Sequence, residues 1–289
     1  MEECHASDLV ARVRFSHPAP KEEFMNKQNN EKFNELIEYI ESNLCEKISY
    51  NKLSKILGVN EYTMHRIFLF VTNYTVADYI RKRRLSMSAL DLLDGKEKII
   101  DIAIKYNYES SQAFSRAFKS MMGFNPSEIN SNQNNIKFFS KYELINKDIT
   151  DEFNYHIEKN VEFNLYAISM KTTVSDCHNQ APLFWKNNLN AIKGKSEFGL
   201  LEYDKTCSVD SAIYYIASKE MFENSKKLHL KPSNYLVFEC DYIDSTFLYE
   251  YCSKIYRTII PNMEYELVDL PDIEEYLDNN KLKLYIPIK

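Results

Sequence analysis

The run "NSNQNN", Asn130 to Asn135, separates two stretches of chain whose apolar residues recur with different periods. Before it, apolar positions come every three or four residues, the spacing of one helix face. Phe33, Leu36, Ile37 and Ile40 form a first stripe, and Leu53, Ile56 and Leu57 a short second one stopped by Gly58. Met64, Ile67 and Phe68 mark a third, with Asn60 as its N-cap. A long stripe runs from Val76 through Tyr79, Ile80, Leu85, Ala89 and Leu92 to Leu93 and ends at Gly95. Ile99, Ile102 and Ala103 give a fifth helix, and Ala113, Phe114, Ala117, Phe118 and Met121 a sixth closed by Gly123. The "NPSE" run from Asn125 supplies an N-cap, a first-turn Pro and a Glu at N3, which predicts a seventh. After the polar run the period becomes two. Residues 161–173 and 281–288 alternate, with Leu282, Leu284, Ile286 and Ile288 on one strand face. Residues 181–193 and 245–258 read as helices, so strand, helix, strand, strand occurs twice, over about 161–218 and 234–288. A pattern of strands cannot be refolded as helices without turning half its apolar residues to water, so two differently built domains are expected.

The 289 residues suffice for two such domains, each with its own core. The first 24 residues hold no Asn and no Ile, unlike the rest; they read as a disordered extension upstream of Met25. The domains are then 27–130 and 151–289, joined by a linker at 131–150. No run of about 18 apolar residues points to a membrane span. Six scattered cysteines with no C-x-x-C pair argue against zinc ribbons and disulfide frameworks and fit a reducing cytoplasm. No cofactor or metal is called for. Residues 27–135 carry 15 Lys and Arg against 13 Asp and Glu, whereas residues 136–289 carry 18 against 24. A polyanion is therefore attracted to the first part and repelled by the second.

Residues 49–70 and 99–118 repeat one design, a short helix, a tight turn and a second helix with a polar face. Each second helix places an Arg two residues before a core Phe, Arg66 before Phe68 and Arg116 before Phe118. Two helix-turn-helix motifs follow, joined by the long helix over about 76–94, roughly 27 Å at 1.5 Å per residue. That length suits two recognition helices about one DNA turn, roughly 34 Å, apart. The fold class is thus an all-α N-terminal domain with two helix-turn-helix motifs and an α+β domain of two strand-helix-strand-strand repeats.

The block "YTMHRIF…YIRKRRLSMSALDLL…IIDIAIKYNYESSQAFSRAFKSMMGFNPSEI" resembles the DNA-binding domain of the AraC/XylS family of transcription regulators. The resemblance places recognition positions at Tyr62, His65 and Arg66 in the first motif and at Ser111, Gln112, Ser115 and Arg116 in the second. Gln and Arg suit bidentate contacts to adenine and guanine edges. Arg81, Lys82, Arg83 and Arg84 are expected on phosphates. Asn73 and Asn107 stand where the family usually has Gly; Asn best tolerates positive φ, so both turns are expected to survive.

Residues from about 150 to 289 resemble, more loosely, the GyrI-like effector-binding domain, chiefly through "PDIEEYLDNNKLKLYIPIK". The resemblance implies a cleft between two repeats, lined by aromatics, in which a Glu faces a cationic aromatic ligand. Its pattern maps onto Ile273, Glu274, Glu275 and Tyr276, making Glu274 the candidate with Glu275 beside it. Trp185, the chain's one tryptophan, suits a cation–π or stacking wall.

The expected partners are therefore double-stranded DNA and a small-molecule effector, with RNA polymerase a further one. A monomer is expected, since no coiled-coil heptads occur. Two rivals stand beside the ligand sensor for the C-terminal half, a protein-interaction module and a GyrI-like hydrolase with Glu274 as general base. No matched acid, nucleophile or metal set accompanies Glu274, so the chain is not expected to be an enzyme.

Overall fold

Asn73 and Asn107 carry φ of 62° and 61°, so the two turns they occupy form without glycine. The computed structural model describes residues 22–143, 153–204 and 211–289, with side chains from residue 29 onward. Six helices come first: α1 (Glu22–Ser42), α2 (Tyr50–Leu57), α3 (Glu61–Thr72), α4 (Val76–Asp94), α5 (Ile99–Lys105) and α6 (Ser111–Met122). Ser49, Asn60, Thr75 and Ser110 each cap a helix by accepting from a first-turn N–H. The expected seventh helix is instead a 3₁₀ turn, Pro126–Ser131, begun as expected by Glu128 accepting from Asn125 N–H at 2.8 Å. Of the expected extension, residues 1–21 lie outside the described residues, while residues 22–24 already belong to α1.

The second half runs β1 (Tyr155–Thr172), α7 (Cys177–Ile192), β2 (Glu197–Tyr203), β3 (Ala212–Ser218), β4 (Lys226–Asp241), α8 (Ser245–Thr258), β5 (Asp272–Leu277) and β6 (Lys281–Ile288). The strands pair antiparallel in the order β1-β3-β2-β5-β6-β4, and β1–β4 pairing closes the sheet. One cluster of buried residues draws on all six strands, including Phe163, Phe198, Ala217, Val237, Ile273 and Tyr285. Only the inside of a closed sheet brings all six together. Helices α7 and α8 cover part of the outside.

The cores do not divide at the polar run. One cluster joins α1–α3 and the first turns of α4 to the outer sheet face, from Phe33, Leu36 and Phe68 to Leu236, Leu284 and Ile288. A second holds the rest of α4 with α5 and α6, from Leu85 and Ala89 to Phe114, Phe118 and Phe124. Both halves of α4 are buried, so this helix is the beam between two cores. Part of the expected linker is packed: Phe139 N–H donates to Ser86 Oγ at 2.8 Å, and Tyr142 Oη donates to the Val71 carbonyl at 2.7 Å. Residues 144–150 of that linker, with 151 and 152 after it, lie outside the described residues. Among the described residues no helix is long and apolar enough to cross a membrane.

Candidate functional site

Helix α6 presents the polar face read from its sequence. Phe114 and Phe118 are fully buried, Gln112, Arg116 and Lys119 are exposed, and Ser111 and Ser115 are half-buried between them. Met122 rather than the expected Met121 completes the buried stripe. Donors of the kind that read base edges thus stand together on one open helix surface.

Helix α3 is different. Every residue from Thr63 to Thr72 is buried, so His65 and Arg66 do not lie on an open recognition surface, and Tyr62 is half-covered. The reason is a second apolar face. Met64, Ile67, Phe68 and Val71 pack into the helical core, while Leu69 and Phe70 extend the apolar surface toward the other side. A helix apolar all round is buried all round. Here the second layer is the effector half: Phe70 stacks on Tyr256 of α8 at 4.3 Å between ring centres, 5° from parallel. Arg257 Nη2 donates to the Val71 carbonyl at 3.2 Å, and Tyr249 Oη donates to Asn73 Oδ1 at 2.7 Å.

Arg66 is 0% exposed and ion-paired through Nη2 with Oδ2 of Asp272 on β5. Its guanidinium carbon lies 3.8 Å from the Tyr203 ring centre and 4.7 Å from that of Tyr256. Both tyrosines also donate to Asp272 Oδ2, at 2.7 and 3.2 Å. His65 packs edge-on against Tyr50, at 4.9 Å between ring centres, and burial lowers its pKa to about 4. Its unfolded-state value is higher, so neutral His65 contributes stability that is present above pH 6.5 and lost as pH falls toward 4. The wild type should lose about 3 kcal/mol more than His65→Gln between pH 7 and pH 4, read by denaturant unfolding at each pH.

The basic run on α4 also splits. Arg83 is buried and grips Glu41 of α1 in bidentate fashion, Nε to Oε1 at 2.9 Å and Nη2 to Oε2 at 2.7 Å. Arg84 donates to the Leu44 and Glu46 carbonyls at 2.8 and 2.7 Å, holding the turn that follows α1. Arg83 is therefore enclosed rather than exposed as a phosphate ligand would be, and half-buried Arg84 is engaged by backbone carbonyls. Lys82 lies 4.3 Å from the Tyr74 ring centre, and exposed Arg81 pairs only with Asp78 of its own helix.

Between the sheet, α7 and α8 lies a cavity of about 370 Å³. Glu274, Trp185 and Asp272 line it, with Tyr203, Tyr214, Tyr242 and Tyr276 and with Phe70 reaching in from α3. Alternation along β5 puts Asp272, Glu274 and Tyr276 on this face and Ile273 and Glu275 on the other. Glu275 is therefore not a cavity residue: it accepts from Tyr285 Oη at 2.7 Å and lies 3.5 Å from Lys219 Nζ. Glu274 Oε2 accepts from Tyr276 Oη at 2.7 Å and from Tyr214 Oη at 2.8 Å, while Trp185 Nε1 donates to Tyr214 Oη at 3.0 Å. Burial pushes the Glu274 carboxyl above its ordinary pKa, and the two tyrosines pull it partly back. Opposite Glu274 in the β2–β5 register stands Gly199. A Cβ there would lie 2.2 Å from Glu274 Oε2 and 2.3 Å from Tyr214 Oη, so the close approach requires glycine.

Residues 53–132 match the model of a helix-turn-helix domain, and residues 140–288 that of an integron-associated effector binding protein. The regulatory protein SoxS of Escherichia coli is 34% identical over 94 residues, 32% of this chain and 88% of its own. The chain belongs to the AraC-type helix-turn-helix transcription regulators and carries a GyrI-like effector-binding domain. The regulator is also 32% identical to the transcriptional activator AarP of Providencia stuartii over 93 residues, 32% of this chain and 69% of that one. It spans only 30% of the 42% identical YbfP of Bacillus subtilis. Among solved structures, an integron cassette protein from Vibrio cholerae is 13% identical with a TM-score of 0.41, over 47% of the regulator and 97% of that chain. A protein solved with bound tetraphenylphosphonium is 15% identical with a TM-score of 0.40, over 47% of the regulator and 94% of that chain. Sequence reasoning missed Asp272, Tyr203, Tyr214 and Gly199. The "D-I-E-E-Y" alternation was the available signal for Asp272, whereas the tyrosines and the glycine become visible only once register is known.

Proposed function

We propose that this regulator binds operator DNA through α2–α3 and α5–α6 and is controlled by a small aromatic cation held in the cavity beside Glu274. The observation that carries this reading is Glu274 itself, a carboxylate set among Trp185, Tyr214, Tyr242 and Tyr276 with no cation beside it among the described residues. Aromatic walls supply dispersion and cation–π attraction, and a counter-charge in a low-dielectric cavity selects for positive charge. Two motifs in one chain allow a monomer to cover two successive major-groove segments. On α6 the base-reading set is Ser111, Gln112, Ser115 and Arg116, with Arg81 near phosphate.

Tetraphenylphosphonium titrated into the full chain tests the cavity, because the single tryptophan reports from its wall. Saturable quenching is expected. Glu274→Gln should weaken binding on the order of 10- to 100-fold, the range for losing a charged partner worth about 1.5–3 kcal/mol. Unchanged affinity in the variant would remove Glu274 from the role.

A further inference from the structure

The two Arg-before-Phe motifs meet opposite fates: Arg116 stands exposed on α6, whereas Arg66 is enclosed in the effector half. Arg66 does not end in generic packing. It ends on Asp272, which lines the cavity that holds Glu274. Asp272 and Glu274 are two residues apart on one face of β5, line the same cavity and each accept from two tyrosines. They form two neighbouring acid-and-aromatic cages. One contains a guanidinium and the other contains no protein cation.

We propose that Arg66 is a latch held by Asp272 in the wall of the cavity, and that an aromatic cation entering beside Glu274 loosens it, releasing α3 for DNA. This rests on the reading of the cavity as an effector pocket and adds how the effector is transmitted.

Three observations make the release physical. First, the latch is incompletely satisfied. Arg66 Nε and Nη1 and Asp272 Oδ1 are buried without a hydrogen-bond partner among the described residues, so the pair lacks the two-pronged geometry that makes such contacts strong. Second, Asp272 and Glu274 line the same cavity and feel each other's charge, so a cation beside Glu274 also draws on the Asp272 carboxylate and weakens its hold on Arg66. Third, Phe70, one turn beyond Arg66, lines the cavity and stacks on Tyr256, so filling the cavity presses on the same helix. Once out, the guanidinium regains water and can take a guanine edge in two-pronged fashion.

The test uses the full chain, phenylglyoxal as arginine-selective reagent, peptide mass spectrometry as readout and tetraphenylphosphonium as cation, with Trp185 fluorescence followed in parallel. Without the cation, Arg66 should react about tenfold more slowly than Arg116, the factor given by about 1.4 kcal/mol of docking. With saturating cation the two rates should converge. Asp272→Asn should raise the Arg66 rate without any cation. Should that variant not fold, the wild-type titration decides alone. Linkage adds a further readout: a duplex enriched from a random pool should bind more tightly with the cation, and the cation more tightly with the duplex, by one common factor. Saturable quenching with Arg66 still protected would overturn the release and leave the effector pocket standing. Arg66 as reactive as Arg116 from the start would overturn the latch. No quenching at all would overturn both.

Discussion

Phe118→Ala should unfold the second helix-turn-helix motif while leaving the rest of the molecule folded. Phe118 is fully buried, with ring centres 5.6 Å from Phe114 and 5.9 Å from Phe124. Removing a buried phenyl ring costs about 3–5 kcal/mol, the lost transfer energy plus the cavity left behind. The cluster around it is a satellite, built from one half of α4, two short helices and the 3₁₀ turn after them. It has little reserve against such a loss, since a whole domain rarely exceeds about 5–15 kcal/mol. The other core contains no member of α5 or α6, so it should not feel the change directly. Amide exchange followed by mass spectrometry should show protection collapsing over 99–131 and persisting over α1–α3 and the sheet. DNA binding should be lost with the recognition face of α6, while tetraphenylphosphonium affinity stays within about twofold, as expected for uncoupled sites. Uniform loss of protection would mean that α4 welds both cores into one cooperative unit.

The contrast between the two motifs shows how far the sequence could be read. One helix and one strand of the effector half were legible to their ends, since Ser245–Thr258 and Lys281–Ile288 follow directly from period and turn residues. Helix α6 was legible too, because its apolar and polar residues segregate cleanly into two faces. Helix α3 was legible as a helix but not in its burial. Its own "RIFLFVT" run is apolar on more than one side, which already implies two packed faces, but no local rule says that the second partner is Tyr256, some 190 residues further on. Arg83 failed for the same reason: within "RKRR" the four side chains are locally equivalent, and only the position of Glu41 on α1 singles one out for burial. Glu275 could have been excluded beforehand. Strict alternation from Ile273 places it behind the sheet.

Gly199→Ala should abolish cation binding at the effector cavity while leaving the sheet paired. The added methyl would meet Glu274 Oε2 and Tyr214 Oη at distances no real Cβ tolerates, so both side chains must shift. Tyr214 is the less able to move: it is 2% exposed, and its hydroxyl receives the Trp185 indole N–H. Tyr214 gives as little as it can and Glu274 swings furthest, losing its tyrosine donors and its place as counter-charge. The backbone gives little, because Gly199 pairs with Ile216 on one side and Glu274 on the other in the middle of a closed sheet. Overpacking of this kind costs about 1–3 kcal/mol, too little to unfold a domain of ordinary stability. Tetraphenylphosphonium affinity should nevertheless fall by about 30-fold or more, as expected for losing a charged partner worth about 2 kcal/mol or more. Arg66 should remain protected from phenylglyoxal throughout, since Asp272, Tyr203 and Tyr256 lie outside the clash. Binding that survives in Gly199→Ala would place the cation elsewhere in the cavity, with Asp272 as the remaining acid able to hold it.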